Sequence, residues 1–201
     1  MKKLGLFGGT FDPIHNGHIH IARAFADELE LETVVFLPAG DPYHKAPSHT
    51  PAQQRLAMTE LAVAEDERFA ASDCDMVRDG PTYTFDTLQI FRQQFPQAKL
   101  YWLMGMDSLM NLHTWHRWPS LVRLADIAVA ARSGDTLNRA PQALHAWIGE
   151  ALQAGSLHLL QAPLSEISAT DIRAKVKAGQ DIEGLVCREV AQYIRQHDLY
   201  R

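Results

Sequence analysis

The amino-acid sequence predicts an α/β fold in which a doubly wound, Rossmann-like parallel sheet carries helices on both faces. Continuous apolar stretches rich in branched residues alternate along the chain with amphipathic stretches of helical period. Glycine or proline ends several of the apolar stretches, which is typical of strands that run into loops. The 201 residues include 46% hydrophobic and 21% charged side chains, enough apolar material for one domain with a core.

The N-terminal half contains three stretches with strand character and two with helical character. Residues 3–9 (KLGLFGG) and 33–38 (TVVFLP) are apolar runs that end in glycine and in proline, and residues 69–77 form a weaker strand. Apolar residues recur at helical spacing over residues 17–31, which predicts the first helix. A second helix is expected over residues 51–64, because Pro51 suits the first helical position.

The C-terminal half repeats this alternation and completes a sheet of about five to six strands. Strands are expected at residues 99–105, 126–132 and 157–161, and helices at 82–94, 106–112 and 141–154, with two more from residue 168 onward. The whole chain, residues 1–201, is expected to form a single domain. Its C-terminal helical segment, from about residue 165 to residue 201, is expected to pack on that domain.

The loops that follow the strands are the expected place of the functional residues. Parallel sheets of this kind bind ligands beyond the carboxyl ends of their strands. The loops after Gly9, Pro38, Gly105 and Arg132 are therefore expected to share one edge of the sheet. The loop over residues 39–51 is long and rich in glycine and proline, which is typical of a loop that works on a ligand.

Composition and charge exclude several classes of protein. The net charge is -5 and no basic cluster stands out, so a nucleic-acid-binding surface is not expected. Cys74 and Cys187 are far apart and form no zinc-binding spacing, so they are expected to be reduced thiols, and no metal held by protein side chains is expected. No apolar run approaches the roughly 20 residues of a membrane span. A cytoplasmic protein without a membrane partner is therefore expected.

The stretch from Gly8 to His18 (GGTFDPIHNGH) is the strongest functional signal. It lies between a buried strand and a helix start, where free N–H groups favour an anion. Gly8 and Gly9 allow the backbone to approach a ligand closely, but they do not form the G-x-G-x-x-G pattern of dinucleotide-binding dehydrogenases. His15 and His18 can both donate hydrogen bonds to phosphate oxygens there. The alternative is a pair of ordinary surface histidines beside a helix cap.

The stretch ISATDIR, residues 167–173, is a second candidate phosphate site. Ser168 can cap a helix, and Asp171, three residues later, completes the spacing of a capping box. Ser168, Thr170 and the free N–H groups of that helix can hold phosphate, and Arg173 can neutralise a leaving group. Taken alone, this spacing is also typical of an ordinary helix cap.

These two stretches resemble the signature motifs of the nucleotidylyltransferase superfamily and of its adenylyltransferase branch. They lie roughly 150 residues apart with α/β alternation between them. Over nearly the full length the chain resembles the bacterial nicotinate-nucleotide adenylyltransferase family, through PYHKAP (42–47), PTYTFDTL (81–88), GMDSLMNLHTWHRW (105–118) and the ending HDLYR. The loop over residues 39–51 departs from the family's commonest form at Ala39-Gly40, where an asparagine is frequent, and at Tyr43, where a second proline is frequent.

The resemblance implies transfer of the adenylyl group of ATP to nicotinate mononucleotide, which gives nicotinate adenine dinucleotide and pyrophosphate in NAD biosynthesis. The mononucleotide phosphate has a second pKa of about 6, so it is largely dianionic at neutral pH and needs no protein base. Catalysis would consist of positioning and charge stabilisation at the α-phosphate, without a covalent intermediate. Mg²⁺ would be the cofactor, bound through the ATP phosphates.

The resemblance also implies which residues bind ATP. His18 would donate to the α-phosphate as negative charge develops, and His15 would help to hold the triphosphate, which makes these two the expected catalytic residues. Asp107 would accept hydrogen bonds from ribose hydroxyls, and Arg173 would neutralise the leaving pyrophosphate. The implied ATP-binding residues are Gly8, Gly9, Thr10, Phe11, His15, His18, Gly105, Asp107, Arg132, Ser168, Thr170 and Arg173.

A second group of residues would bind the acceptor. Trp115 can stack on the electron-poor pyridine ring, and Thr84 opens a helix whose N–H groups favour a carboxylate over an amide. Lys45 would close over phosphates from the first long loop. The implied nicotinate mononucleotide-binding residues are Thr10, Lys45, Thr84, Trp115 and His116.

Two alternatives remain open at the level of sequence. The same chemistry could serve another phosphorylated acceptor, such as nicotinamide mononucleotide, phosphopantetheine, or a polyol or choline phosphate. A nucleotide-binding regulatory protein without turnover is an alternative from a different class, although both phosphate motifs are present. The sequence is compatible with a homo-oligomer and does not decide the oligomeric state.

Overall fold

The structure, a computed structural model, describes residues 1–40, 50–78, 80–131, 136–160 and 165–201. In these residues the strands form one six-stranded sheet with the order β3-β2-β1-β4-β5-β6. This is the strand order of a Rossmann-like doubly wound sheet, and the predicted fold class is confirmed. The strands are β1 (Lys3–Gly9), β2 (Thr33–Pro38), β3 (Phe69–Ala71), β4 (Lys99–Gly105), β5 (Asp126–Ala130) and β6 (Leu157–Leu159).

Eight α-helices occur in the described part of the chain, and no helix there is both long enough and apolar enough to cross a membrane. The longer helices fall where helical periodicity predicts them, with ends shifted by one or two residues. The helices are α1 (Asn16–Leu29), α2 (Ala52–Val63), α3 (Thr84–Gln94), α4 (Met106–Met110), α5 (Trp118–Leu121), α6 (Gln142–Ala154), α7 (Ala169–Lys177) and α8 (Arg188–Gln196).

The chain divides into two compact units, each built from separated segments. Unit 1 comprises Met1–Phe7, Ala24–Val34 and Tyr83–Leu164, and unit 2 comprises Gly8–Arg23, Val35–Thr82 and Ser165–Arg201.

The core of unit 1 is the middle of the parallel sheet. Strand β4 pairs with β1 on one side and with β5 on the other, so that Trp102 lies in register with Leu6 and with Ile127. All three side chains are buried. A strand buried in this way needs side chains that pack on both of its faces, which explains its continuous apolar sequence.

The core of unit 2 forms around helix α2, which packs against β3 and α8. Met58 of α2 and Val190 and Ile194 of α8 are buried. Val190 and Ile194 are four residues apart, which places them on one face of α8. Unit 2 contains the two phosphate motifs, so its packing decides the geometry of the candidate active site.

Several boundaries differ from the sequence prediction. Pro51 is the N-cap of α2 and not its first helical residue. The third strand ends at Ala71, because the Ser72 hydroxyl accepts a hydrogen bond from the N–H of Cys74 and the Asp73 carbonyl from the N–H of Met76, which closes a turn. Strand β5 ends at Ala130 and β6 at Leu159, and the last residues predicted for them, Arg132 and Gln161, lie outside the described residues.

Candidate active site

The first motif forms the turn between β1 and α1. Phe11 in this turn is 2% exposed and has a φ of 49°, in the left-handed region that side chains other than glycine rarely adopt. Its ring lies so close to Gly9 that a Cβ atom on residue 9 would approach it to 2.8 Å. The glycine therefore leaves room for Phe11 to turn inward, while the Thr10 side chain is exposed.

The two histidines of this motif form a stacked pair. Their ring centroids are 3.7 Å apart with an interplanar angle of 27°, and the Phe11 ring meets His18 edge-on at 5.0 Å. A Cβ atom on Gly17 would lie 3.0 Å from Nδ1 of His15, so the glycine makes space for that imidazole. The carbonyl oxygen of His15 accepts the hydrogen bond from the N–H of His18 in the first turn of α1.

A backbone hydrogen bond sets the tautomer of His18. The N–H of His15 donates to Nδ1 of His18 at 3.2 Å, so Nδ1 carries no proton when the ring is neutral. Burial and the neighbouring His15 hold the pKa of His18 well below its ordinary value. Burial lowers the pKa of His15 to about 4. At neutral pH the His18 proton is therefore on Nε2, where it can be donated to a ligand.

The second motif caps helix α7 as its spacing predicts. The Ser168 hydroxyl oxygen accepts a hydrogen bond from the N–H of Asp171 at 3.1 Å. The Ser168 hydroxyl also donates to the Asp171 carboxylate at 2.7 Å. In a capping box the acidic side chain accepts instead from the N-cap backbone N–H, so the reciprocal half of this box differs from the expectation. Thr170 is exposed in the first turn of the same helix.

The two motifs meet in space within unit 2. Nη1 of Arg173 donates to the carbonyl oxygen of Asp12 at 2.7 Å, across a separation of 161 residues. Nη2 of Arg173 donates to the Thr170 hydroxyl at 3.3 Å. At the start of α1, a Cβ atom on Gly17 would lie 3.5 Å from Cβ of Ile167. The starts of α1 and α7, which both favour anions, therefore lie close together.

Sequence reasoning missed two side chains that hold this turn. Arg55 of α2 is completely buried and donates from Nη1 to the Thr10 carbonyl at 2.7 Å and from Nε to the Thr50 carbonyl at 3.0 Å. Tyr200 donates its hydroxyl proton to Oδ1 of Asp12 at 2.6 Å. Nothing in the sequence marks Arg55, because an arginine in an amphipathic helix is ordinarily exposed. Tyr200 lies in the ending HDLYR, which carried the resemblance without a role.

Unit 1 holds the residues predicted for ribose. Gly105 ends β4 and is the N-cap of the short helix α4, and Asp107 lies in its first turn. Both residues are exposed. The Asp107 backbone carbonyl accepts a hydrogen bond from the Asn111 side chain at 2.9 Å.

Unit 1 also holds three of the residues predicted for the acceptor. Thr84 opens helix α3, directly after Tyr83. The Tyr83 ring stacks on His116 with centroids 4.3 Å apart, so the α3 start and the turn that carries Trp115 lie side by side. Arg117, with a φ of 54°, reverses the chain after this turn and lies over the Phe85 ring at 4.6 Å. Lys45 and Arg132 lie outside the described residues.

The assembled groups of unit 2 suit a polyphosphate. Imidazoles, two helix starts and the Arg173 guanidinium offer positive charge or hydrogen-bond donors at one place. Within the described ranges, no three histidine, cysteine, aspartate or glutamate side chains are grouped so that they could hold a metal ion. Together with the sheet order, this arrangement defines a nucleotidyltransferase of Rossmann-like fold.

Comparison with known proteins identifies the family. The Cytidylyltransferase-like family matches residues 6–175. A probable nicotinate-nucleotide adenylyltransferase of Neisseria meningitidis is 62% identical over 200 residues, which cover 100% of this chain and 99% of the relative. One from Chromobacterium violaceum is 41% identical over 209 residues, with 99% of each chain covered. The chain belongs to the nicotinate-nucleotide adenylyltransferase family, and the family identified from the motifs is confirmed.

A solved structure supports the fold independently. The Plasmodium falciparum nicotinic acid mononucleotide adenylyltransferase complexed with NaAD superposes with a TM-score of 0.78, covering 100% of this chain and 98% of that chain. Its sequence identity of 17% means that this likeness concerns the fold.

Proposed function

We propose that this chain transfers the adenylyl group of ATP to nicotinate mononucleotide, giving nicotinate adenine dinucleotide and pyrophosphate for NAD biosynthesis. The observation that carries this proposal is the junction of the two phosphate motifs, where Arg173 donates to Asp12 beside the His15–His18 pair. The names of its relatives at 62% and 41% identity support the same reaction.

In the proposed reaction an oxygen of the mononucleotide phosphate attacks the α-phosphorus of ATP. The new P–O bond forms as the bond to the β-phosphate oxygen breaks, and pyrophosphate leaves with that electron pair. The attacking phosphate is already deprotonated, so no proton has to be removed by the protein. The protein contributes alignment, which is worth roughly 7–11 kcal/mol in well-oriented intramolecular reactions.

His18 stabilises the charge that grows on the α-phosphate. Its Nδ1 accepts from the N–H of His15, so Nε2 presents the proton at neutral pH. A neutral donor of this kind stabilises the transition state more than the ground state, because the phosphate oxygens gain charge as the reaction proceeds. His15 and the backbone of Thr10 and Phe11 hold the triphosphate in line.

The start of α7 holds the β- and γ-phosphates. Ser168 is its N-cap, and Thr170 lies in its first turn, where the backbone N–H groups have no intrahelical partner. Arg173 is anchored to the Asp12 carbonyl through Nη1, which places its guanidinium at the junction of the two motifs. From there it neutralises pyrophosphate as it leaves.

We propose Mg²⁺ as the cofactor; the ATP phosphates would hold it, and it would supply positive charge to their oxygens. The donor set fits this arrangement, because the described residues at the motif junction offer N–H groups, imidazoles and a guanidinium and no grouped carboxylates. The reaction partners are small molecules, and we expect the enzyme to act in the cytoplasm.

The acceptor is held by the turn of unit 1. Trp115 stacks on the pyridine ring, with His116 and Tyr83 beside it. The N–H groups at the start of α3, at Thr84, donate to the nicotinate carboxylate, whereas a neutral amide gains less from a helix start. Nicotinate mononucleotide is therefore the preferred acceptor.

An acceptor screen tests this function. Pyrophosphate release is measured with ATP or CTP and with nicotinate mononucleotide, nicotinamide mononucleotide or phosphopantetheine. We expect rapid release with ATP and nicotinate mononucleotide and much slower release with the other pairs. Equal use of the two pyridine mononucleotides contradicts the carboxylate assignment at Thr84. ATP binding without release from any acceptor favours a regulatory protein and overturns the proposal.

A further inference from the structure

The turn between β1 and α1 has an unfavourable backbone conformation that neighbouring side chains must maintain. Phe11 has a φ of 49°, which costs about 1–2 kcal/mol for an L-residue. Residues in such conformations persist where the surrounding structure over-determines them. The amide of Phe11 is one of the groups proposed to face the reacting phosphates, so the conformation of this one residue decides where that N–H points.

Two arginines hold backbone carbonyls on either side of Phe11, those of Thr10 and of Asp12. On the N-terminal side, Arg55 donates to the Thr10 carbonyl at 2.7 Å. Because a trans peptide directs its C=O and N–H to opposite sides, this bond turns the N–H of Phe11 away from Arg55. On the C-terminal side, Arg173 donates to the Asp12 carbonyl at 2.7 Å.

A third hydrogen bond holds the turn, because the Asp12 carboxylate accepts from the Tyr200 hydroxyl. Asp12 is 5% exposed, and a carboxylate buried to that degree needs hydrogen-bond donors. The O–H···O distance of 2.6 Å is in the range of charge-assisted hydrogen bonds to carboxylates. Burial, and then the bond to Asp12, raise the pKa of Tyr200, so its hydroxyl keeps the proton that it donates.

Tyr200 itself adopts an unusual conformation in order to make this bond. Its φ is 65°, and that of Asp198 two residues earlier is 52°. Two left-handed residues within three positions carry the chain back from the end of α8 toward Asp12. Tyr200 and Asp12 are 188 positions apart in the sequence, so their hydrogen bond is a long-range tertiary contact.

We propose that Tyr200 is a positioning residue for adenylyl transfer, which acts through Asp12 to keep the Phe11 amide aimed at the reacting phosphates. This inference rests on the proposed function for its catalytic consequence only. The Tyr200 hydroxyl contacts Asp12, so removing it should loosen the turn and leave the ATP-binding side chains in place.

The test compares Tyr200→Phe with Tyr193→Phe, a matched loss of one hydroxyl on helix α8. We expect Tyr200→Phe to lower kcat by about 10- to 100-fold, the range expected when a reacting group shifts by about 1 Å, with little change in the KM for nicotinate mononucleotide. Tyr193→Phe should behave as the wild type. Asp12→Asn keeps an oxygen that can accept from Tyr200 and should retain more activity than Asp12→Leu.

Hydrogen exchange of the backbone amides in residues 10–14, of which Pro13 has none, provides a readout that needs no substrate. In Tyr200→Phe these amides should exchange faster, while those of α3 keep the wild-type rate. Unchanged kcat and unchanged exchange at residues 10–14 overturn the proposal, and so does faster exchange throughout the chain, which indicates general destabilisation. If wild-type protein releases no pyrophosphate, the proposed function fails, and the exchange experiment still decides whether Tyr200 positions the turn.

Discussion

The phosphate motifs of unit 2 and the acceptor turn of unit 1 are built in different ways. In unit 2, His15, Phe11 and Asp12 are buried, and two arginines and a tyrosine hold the turn. In unit 1, His116 is exposed, and its ring stacks on the half-exposed Tyr83. The contrast suggests that the transfer step depends on a rigid site, whereas recognition of the acceptor depends on a surface that packs against the ligand.

The largest effect is expected at the rigid site. His18→Ala should reduce kcat by about 10²- to 10³-fold, the cost of removing one donor to a developing oxyanion, while the Kd for ATP changes little. Steady-state kinetics and calorimetric titration with ATP measure the two quantities. His20→Ala, an exposed histidine on the same helix, is the matched control. Unchanged turnover of His18→Ala removes this residue from the mechanism.

The opposite kinetic signature is expected at the acceptor turn. Trp115→Ala should raise the KM for nicotinate mononucleotide about tenfold or more through lost stacking, with the KM for ATP unchanged. Trp147→Phe, which keeps an aromatic edge against Trp118, serves as the control. A fall in kcat with an unchanged KM would show that the two regions do not divide their tasks in this way.

The buried histidine pair also predicts a pH dependence of stability. The pKa of His15 is lowered from 6.5 to about 4, so between these values the unfolded chain binds a proton that the folded chain does not. Folding stability is therefore full above pH 6.5 and falls as the pH drops toward 4. Between pH 7.5 and pH 5, the free energy of unfolding should fall by about 2 kcal/mol less in His15→Gln than in the wild type. Urea unfolding at both pH values measures the difference, and equal losses contradict the assignment.

The smallest effect is expected at the cap of α7. Ser168→Ala removes the hydroxyl that accepts from the N–H of Asp171, and should cost about 1 kcal/mol of stability. Ser168→Thr retains a hydroxyl and should recover most of the loss. Thermal unfolding compares the variants. Equal unfolding temperatures of Ser168→Ala and the wild type would contradict the cap.

The sequence predicted the parts of the molecule that depend on local patterns. Strands β1, β2 and β4 have the predicted boundaries, because each is an apolar run closed by glycine or proline. The Ser168 cap was likewise predictable from a three-residue spacing. The third strand was predicted too long, since the turn at Ser72 and Asp73 competes through hydrogen bonds that periodicity does not register.

The anchors of the candidate site could not be predicted in the same way. The buried Arg55 guanidinium donates to carbonyls of Thr10 and Thr50 outside its helix, and no feature of the α2 sequence contains that information. Tyr200 donates to a residue 188 positions away. The tautomer of His18 depends on the direction of one backbone N–H, which only the folded turn defines.

The long separations at the phosphate junction have a consequence for folding. Bonds that join Asp12 to Arg173 and to Tyr200 close loops of 161 and 188 residues, and closing such loops costs chain entropy before any contact compensates it. Early folding intermediates can form strands and helices that are adjacent in the sequence before these bonds exist. The reactive junction should therefore be among the last regions to assemble on refolding, so that recovery of helical signal precedes recovery of turnover.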